Sequence, residues 1–193
     1  MYRVFNIWLT TLSLALFLGC SAPLPSPVKV QLTNKKVEYL KDVQPILDKR
    51  CVSCHSCYNS PCQTKLSSFE GLDRGASKLS VYSPLRLRAT APTRLFIDAS
   101  STKEWRKKAF YSLTSNFDAN ETHQDSILMH MLHDKKKNPK VIGSYKPEED
   151  DLVCPKDLEE MGEYLEDKPN HGMPYGFPAL KESEYETLTQ WLV

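Results

Sequence analysis

The most constraining feature of this sequence is a short run that combines two cysteines with a histidine, Cys51-Val52-Ser53-Cys54-His55. Thiols at positions i and i+3 fall on one side of a helical turn, and the next residue brings an imidazole beside them. This C-x-x-C-H spacing is typical of c-type haem attachment, in which both thiols add to vinyl groups of the porphyrin. We therefore predict one covalently bound haem c, attached through Cys51 and Cys54, with His55 as an axial ligand of its iron.

Two further cysteines, Cys57 and Cys62, leave other interpretations of the cluster open. The combined spacing is also compatible with an iron–sulfur site or a zinc site, and the C-x-x-C-H run could belong to a disulfide-linked knot. An iron–sulfur site is disfavoured because such clusters are normally inserted before export, and the N-terminus lacks a twin-arginine pair. Neither metal site gives His55 a clear role. We expect Cys57 and Cys62 to form a disulfide with each other, although Cys154 could pair with either.

The N-terminus has the pattern of an export signal. An apolar run over residues 7–18 suits a signal-peptide core, and it is too short to span a membrane comfortably. It ends in Phe-Leu-Gly-Cys, which resembles the lipobox of bacterial lipoproteins. We predict a signal peptide over residues 1–20 and lipidation of Cys20; a plain signal peptide or an anchor is the alternative. The protein is then expected in the periplasm, anchored by lipid to a bacterial membrane, where disulfides are permitted.

Composition narrows the remaining classes of protein. Residues 21–36 are small and proline-rich, which predicts an extended tether, so the folded domain is expected over residues 37–193. The chain has 25 Lys and Arg against 24 Asp and Glu, without the basic excess of nucleic-acid-binding proteins. Only one apolar stretch stands out, which excludes a polytopic membrane protein.

Helical periodicity in four segments predicts a mainly α fold. The first helix is expected to begin at Asp42 and to run into Cys51, with Pro45 in its first turn or at a kink. A stretch over residues 66–117 has the composition of irregular structure with short strands, and residues 135–137 form a lysine run expected on a solvated face. The second helix is expected to follow a capping-box pattern at Thr122-x-x-Asp125 and to stop at Asn138-Pro139. The other two helices are expected near residues 155–167 and 182–192.

A second iron ligand is expected far downstream, at Met173. The H-G-M-P run around it resembles the methionine loop of cytochromes c, and an amphipathic terminal helix follows it as in those proteins. Core packing is the commoner role of a single methionine. His171 is the runner-up ligand, followed by His123, His130 and His133, which are expected to be polar residues along a helix.

The expected fold is a cytochrome c-like haem domain enlarged by a long insertion. Met173 lies 118 positions after His55, far more chain than a small cytochrome c needs between its axial ligands. A partly irregular insertion at about residues 66–164 accounts for this length. Arg94 and Arg106 lie within it as candidates to pair with haem propionates, although surface salt bridging is the commoner fate of such arginines.

Several stretches from about Glu38 to Leu192 form a pattern more specific than the C-x-x-C-H run alone. They are C-V-S-C-H-S-C-Y at 51–58, P-C-Q-x-K-L at 61–66, F-E-G at 69–71, R-G-A-S at 74–77, the run at 92–99, E-W-R at 104–106 and G-M-P-Y-G at 172–176. Together they resemble the bacterial fatty acid cis/trans isomerases, which are periplasmic c-type haem proteins. Members of that family are several times longer, so the chain is expected to be their N-terminal haem-domain part, truncated at its C-terminus.

The resemblance implies an isomerase that converts cis to trans double bonds in membrane phospholipid acyl chains through its redox-active iron. Its partners would be phospholipids with unsaturated acyl chains, and a membrane surface reached through the lipid anchor. One alternative is a periplasmic c-type cytochrome lipoprotein acting in electron transfer. A structural metal or disulfide module is a third interpretation.

Overall fold

The computed structural model describes residues 23–56, 60–79, 93–114, 126–139 and 154–193. Within these ranges the regular structure is helical, which confirms the predicted mainly α class, and the expected short strands are reduced to two isolated bridges. No helix of the described ranges is long and apolar enough to cross a membrane. The α-helices are α1 (Gln44–Arg50), α2 (Phe69–Arg74), α3 (Thr102–Lys107), α4 (Ile127–Lys137), α5 (Leu158–Asp167) and α6 (Glu182–Leu192).

Helix α1 begins two residues later than the sequence predicts. A π-helical turn, Tyr39–Val43, precedes it, and in that turn the Asp42 carboxylate accepts a hydrogen bond from the Glu38 amide at 2.9 Å. Asp42 is therefore engaged upstream and does not cap the helix. Pro45 occupies the first turn, where its missing N–H leaves no helical hydrogen bond unmade. As predicted, the helix runs up to Cys51.

The three later helices lie close to their predicted positions. Ser126, rather than Thr122 of the predicted capping box, caps α4 by accepting a hydrogen bond from the Met129 amide; Thr122 lies outside the described residues. Helix α4 stops before Asn138, as expected. Helix α5 begins at Leu158 rather than at the predicted proline, because the Asp157 side chain provides its N-cap. Helix α6 begins at Glu182, as predicted.

The main apolar core joins the two ends of the described chain. Its buried members are Val28, Val43, Leu47, Leu66, Leu72, Met129, Leu132, Tyr185, Leu188 and Leu192. Val28 is only 1% exposed, and the Thr33 amide donates to the Gln190 side chain at 2.8 Å. The described part of the predicted tether therefore lies against the domain, because burial of Val28 favours contact with the core. Leu72 and Met129 show that the predicted insertion contributes to the same core.

A second apolar cluster packs around a disulfide between Cys62 and Cys154. Its other buried members come from the loop after α2, from the segment after α3, from α4 and from α5: Ala76, Leu113, Ile127, Met131 and Met161. The half-buried side chain of Met173 packs against this cluster from the loop that precedes α6. The two clusters meet along α4, so that helix is the central support of the fold.

Candidate functional site

Residues 51–56, which we call the motif turn, continue directly from the end of α1. The Cys51 amide donates to the Leu47 carbonyl at 2.8 Å, and the His55 amide donates to the Cys51 carbonyl at 2.9 Å. The Cys54 amide also donates to the Cys51 carbonyl, at 3.1 Å. These bonds place both motif cysteines and the histidine on one tight turn, as the spacing predicts.

A second segment holds the motif turn in place from the other side. The Leu66 amide donates to the His55 carbonyl at 2.7 Å, and the Lys65 ammonium donates to the Ser56 carbonyl at 2.8 Å. Lys65 also donates to the Ser67 hydroxyl at 2.8 Å. Two consecutive carbonyls of the motif turn are thereby fixed by contacts to the chain rather than left to solvent.

The side chains of the motif turn have the chemistry that covalent haem attachment requires. Cys51 and Cys54 are free thiols, Cys54 exposed and Cys51 half-buried. Burial, together with the neighbouring Cys54, raises the pKa of Cys51 to about 12, so its sulfur stays protonated at neutral pH. Burial lowers the pKa of His55 to about 4, which keeps the imidazole neutral, and its Nδ1 atom is buried without a hydrogen-bond partner. Two reduced thiols beside a neutral imidazole, whose Nδ1 atom is unsatisfied although the ring also contacts the Thr64 backbone, fit a haem c.

The disulfide corrects one expectation from the sequence. Cys62 pairs with Cys154, whose Cα atom lies 6.4 Å away, so the alternative pairing replaces the expected Cys57–Cys62 bond. The disulfide joins buried Cys62 to half-buried Cys154 at the second cluster, although the two residues are 92 positions apart in sequence. Cys57 lies outside the described residues. A disulfide-bonded Cys62 is no thiolate ligand, which removes one donor from the four-cysteine iron–sulfur and zinc interpretations.

Grouped metal ligands are otherwise missing from the part of the chain that the structure describes. No three His, Cys, Asp or Glu side chains in these ranges are placed to hold a metal ion together.

The loop that carries Met173 is clamped onto α4. The Met173 amide donates to the Met131 carbonyl at 3.0 Å. Gly172 packs so closely that a Cβ atom there would lie 2.3 Å from the Lys135 backbone nitrogen, so only glycine fits. Lys135 is itself 1% exposed, contrary to the solvated face expected for the lysine run. Met173 also lines a shallow depression together with Tyr185.

The alternative iron ligands among the histidines have other surroundings. The His171 ring lies between two tyrosine rings, with centroid distances of 6.1 Å to Tyr164 and 4.7 Å to Tyr175. His133 Nδ1 lies 3.0 Å from the Tyr185 hydroxyl, and His130 is buried within α4. Both sit on a helix, as expected. His123, like the lipidation candidate Cys20, lies outside the described residues.

Sequence reasoning assigned no role to Arg74, which is completely buried. Its terminal nitrogens donate to the Gln63 and Thr93 carbonyls. The guanidinium carbon lies 5.4 Å from the ring centroid of Trp105 and 4.9 Å from that of Phe110. We call these five residues the arginine centre. The R-G-A-S and E-W-R stretches mark its position, but neither pattern shows that the arginine is buried.

The two arginines considered as propionate partners are engaged within the chain. Arg106 donates to the Arg74 carbonyl at 2.8 Å and to the Asp73 carbonyl at 3.1 Å. Arg94 forms a salt bridge with Asp98 at 3.0 Å. Both therefore have structural partners.

Comparison with protein-family models matches residues 90–193, more than half of the chain, to the model described as fatty acid cis/trans isomerase (CTI). The chain belongs to the fatty acid cis/trans isomerase family. This confirms the suspected family and makes the protein an isomerase of fatty acid double bonds. The CTI match includes Met173 and the Thr93, Trp105 and Phe110 part of the arginine centre, whereas the motif turn precedes it. Searches of curated proteins and of solved structures each gave no match.

Proposed function

We propose that the protein is a haem-containing fatty acid cis/trans isomerase that converts cis to trans double bonds in membrane phospholipid acyl chains. The family match over residues 90–193 supports the class of reaction, isomerisation of fatty acid double bonds. The motif turn supports the cofactor, because its free Cys51 and Cys54 thiols and the neutral His55 imidazole are the donors that one haem c needs.

The proposed chemistry assigns separate tasks to residues of the motif turn. When bound, haem iron supplies one-electron exchange with the alkene, which lowers the bond order while the chain rotates. Cys51 and Cys54 would hold the cofactor by two thioether bonds, so an exported protein would not lose it. His55 offers a neutral ring nitrogen, and the Leu66 amide holds its backbone in position. Such a preset ligand needs little reorganisation.

Met173 is proposed as the second side chain that would hold the haem iron, through its thioether. Its support is the clamp on α4, in which Gly172 closes on Lys135 and the Met173 amide binds the Met131 carbonyl. These contacts fix the backbone that presents the thioether. A methionine thioether raises the reduction potential of haem iron relative to stronger donors, which suits an electron acceptor.

A periplasmic, lipid-anchored location is part of the proposal. It is supported by the apolar run at residues 7–18 and by Cys20 at its end. The Cys62–Cys154 disulfide also suits an oxidising compartment. The proposed partners are phospholipids with unsaturated acyl chains.

The test is haem attachment and lipid isomerisation by the full chain, produced with a c-type haem maturation system. We expect a haem that survives denaturing electrophoresis, its loss in Cys51→Ser combined with Cys54→Ser, and its retention in the matched control Ser53→Ala. Vesicles with cis-monounsaturated acyl chains should accumulate trans product, measured by gas chromatography, only with the haem-bearing forms. Absence of covalent haem would contradict the cofactor. Covalent haem without trans product would contradict the isomerase and leave electron transfer.

Met173 is tested in the same preparation by its oxidised absorption spectrum. Met173→Ala should abolish the methionine-to-iron charge-transfer band, whereas Met161→Leu, in the same apolar cluster, should preserve it. An unchanged band in Met173→Ala would exclude this ligand.

A further inference from the structure

Phe96 and Ile97 form an unusual surface feature, which we call the apolar tip. Phe96 is 65% exposed and Ile97 is 68% exposed. Among the large apolar side chains that the described ranges leave exposed, these two alone are neighbours in sequence. Single exposed apolar residues are ordinary on protein surfaces, but an adjacent pair in a turn indicates a surface that binds another molecule.

The apolar tip is held outward by a closed turn. The Phe96 amide donates to the Ala99 carbonyl at 3.0 Å, and the Asp98 amide donates to the Arg94 carbonyl at 3.0 Å. The Arg94–Asp98 salt bridge spans the same turn. Phe96 has a φ of +65°, a left-handed conformation that is unfavourable for a bulky aromatic residue. The chain therefore maintains a strained backbone where the phenyl ring meets solvent.

The turn is mounted on a rigid base. Leu95 packs against the buried cluster of Ala99, Trp105 and Phe110. The arginine centre reaches the same point, because Arg74 donates to the Thr93 carbonyl at 3.1 Å. Little conformational entropy would be lost when such a preset tip enters a partner.

The chain segment that carries the apolar tip is basic. Residues 93–108 contain five basic and two acidic side chains, a net charge of +3. Both acidic side chains have partners within the chain: Asp98 pairs with Arg94, and Glu104 forms the capping box of α3. Asp73, which also lies beside α3, accepts a hydrogen bond from the Thr102 hydroxyl. The segment also carries three exposed lysines, Lys103, Lys107 and Lys108. Lys103 and Lys107 lie four positions apart on α3. Lys108 is near enough to Asp98 to help lower the pKa of that carboxyl.

We propose that the apolar tip and these three lysines form a surface that docks on anionic phospholipid bilayers. The phenyl and sec-butyl groups would enter the interfacial region, while the ammonium groups pair with lipid phosphates. Apolar insertion combined with juxtaposed lysines is the physical basis of reversible membrane binding. The surface rests on the proposed function only for its biological purpose, because binding requires neither haem nor turnover.

The test is co-sedimentation of the full chain with vesicles, in a Cys20→Ser background so that no acyl anchor contributes. We expect binding to vesicles of phosphatidylglycerol and phosphatidylethanolamine, and much weaker binding to phosphatidylcholine alone. Phe96→Ser combined with Ile97→Ser should reduce affinity about 100-fold. Leu40→Ser removes another side chain that is 79% exposed and should change affinity less than about twofold.

A second set of variants tests the electrostatic half of the surface without touching the turn. Each replacement of Lys103, Lys107 or Lys108 by Gln should reduce affinity for anionic vesicles about fivefold, and added salt should weaken wild-type binding in the same way. The proposal is overturned if wild type does not bind anionic vesicles, if the double serine variant binds as wild type does, or if Leu40→Ser loses as much. Binding is scored without turnover, so failure of isomerisation leaves this result interpretable.

Discussion

The motif turn and the arginine centre differ in whether their buried polar atoms have hydrogen-bond partners. In the motif turn, His55 keeps an unpartnered Nδ1 atom and two free thiols stand beside it. In the arginine centre, the terminal nitrogens of Arg74 donate hydrogen bonds to two carbonyls, and its guanidinium lies over two aromatic rings. Only its Nε atom has no partner. The first region is incomplete as protein alone, whereas the second is largely satisfied.

This difference separates a site for a ligand from a structural support. A buried polar group without a partner weakens the fold, so its presence indicates that something else completes it. A buried charge with hydrogen bonds and cation–π contacts is instead part of the packing, and removing it is costly. Burial alone would rank Arg74 above His55 as a functional candidate. Hydrogen-bond partners reverse that ranking, because the terminal nitrogens of Arg74 have them and His55 Nδ1 has none.

The strongest test of this difference is to replace Arg74 and His55 separately in the haem-free protein and to compare the losses of stability. Arg74→Met should lower the free energy of unfolding by about 4 kcal/mol, because the Gln63 and Thr93 carbonyls lose their donors and stay buried. His55→Leu should cost only about 1 kcal/mol, because Nδ1 has no hydrogen bond and the ring loses only its contact with the Thr64 backbone. Urea denaturation followed by circular dichroism measures both. Equal costs would erase the distinction between the two regions.

The disulfide gives a second, somewhat smaller effect. Cys62 is the neighbour of Gln63 in the arginine centre and closes a loop of 92 positions with Cys154. Replacing both cysteines by Ser should lower the free energy of unfolding by about 3 kcal/mol, mainly by giving the unfolded chain more freedom. The wild-type protein in reducing agent should match the double variant. If reduction leaves wild-type stability unchanged, the Cys62–Cys154 pairing is wrong.

Local sequence patterns predicted what depends on local geometry. The motif turn follows from the spacing of Cys51 and Cys54, and the end of α4 follows from Asn138 and the proline after it. Burial of Arg74 and Lys135 was not predictable, because a pattern assigns charged residues to solvent unless tertiary contacts supply partners. Pairing of Cys62 with Cys154 depends on the same long-range packing.

The smallest predicted effect concerns how the motif turn is attached to the rest of the protein. The Arg50 guanidinium, at the end of α1, donates to the Glu184 carboxylate at 2.6 Å, and this contact holds the pKa of Glu184 at about 2. A carboxyl whose pKa is depressed by folding stabilises the fold above its ordinary pKa of about 4.5, and that stability is lost as the pH falls from about 4.5 to about 2. Because these groups reach solvent, we expect about 1–2 kcal/mol.

Glu184→Gln should therefore lower the free energy of unfolding at pH 7 and flatten its decline between about pH 4.5 and about pH 2. Amide hydrogen exchange reports the stability of the motif turn and of the arginine centre separately. As the pH falls, the protection of the Cys51 and His55 amides should decrease relative to that of the Tyr111 amide, which pairs with Ala76 beyond the arginine centre. Arg74 has only backbone carbonyls as hydrogen-bond acceptors, so no titrating group lies in that contact. An unchanged pH dependence in Glu184→Gln would show that the ion pair does not anchor the motif turn, which would then depend on the Leu66 and Lys65 contacts alone.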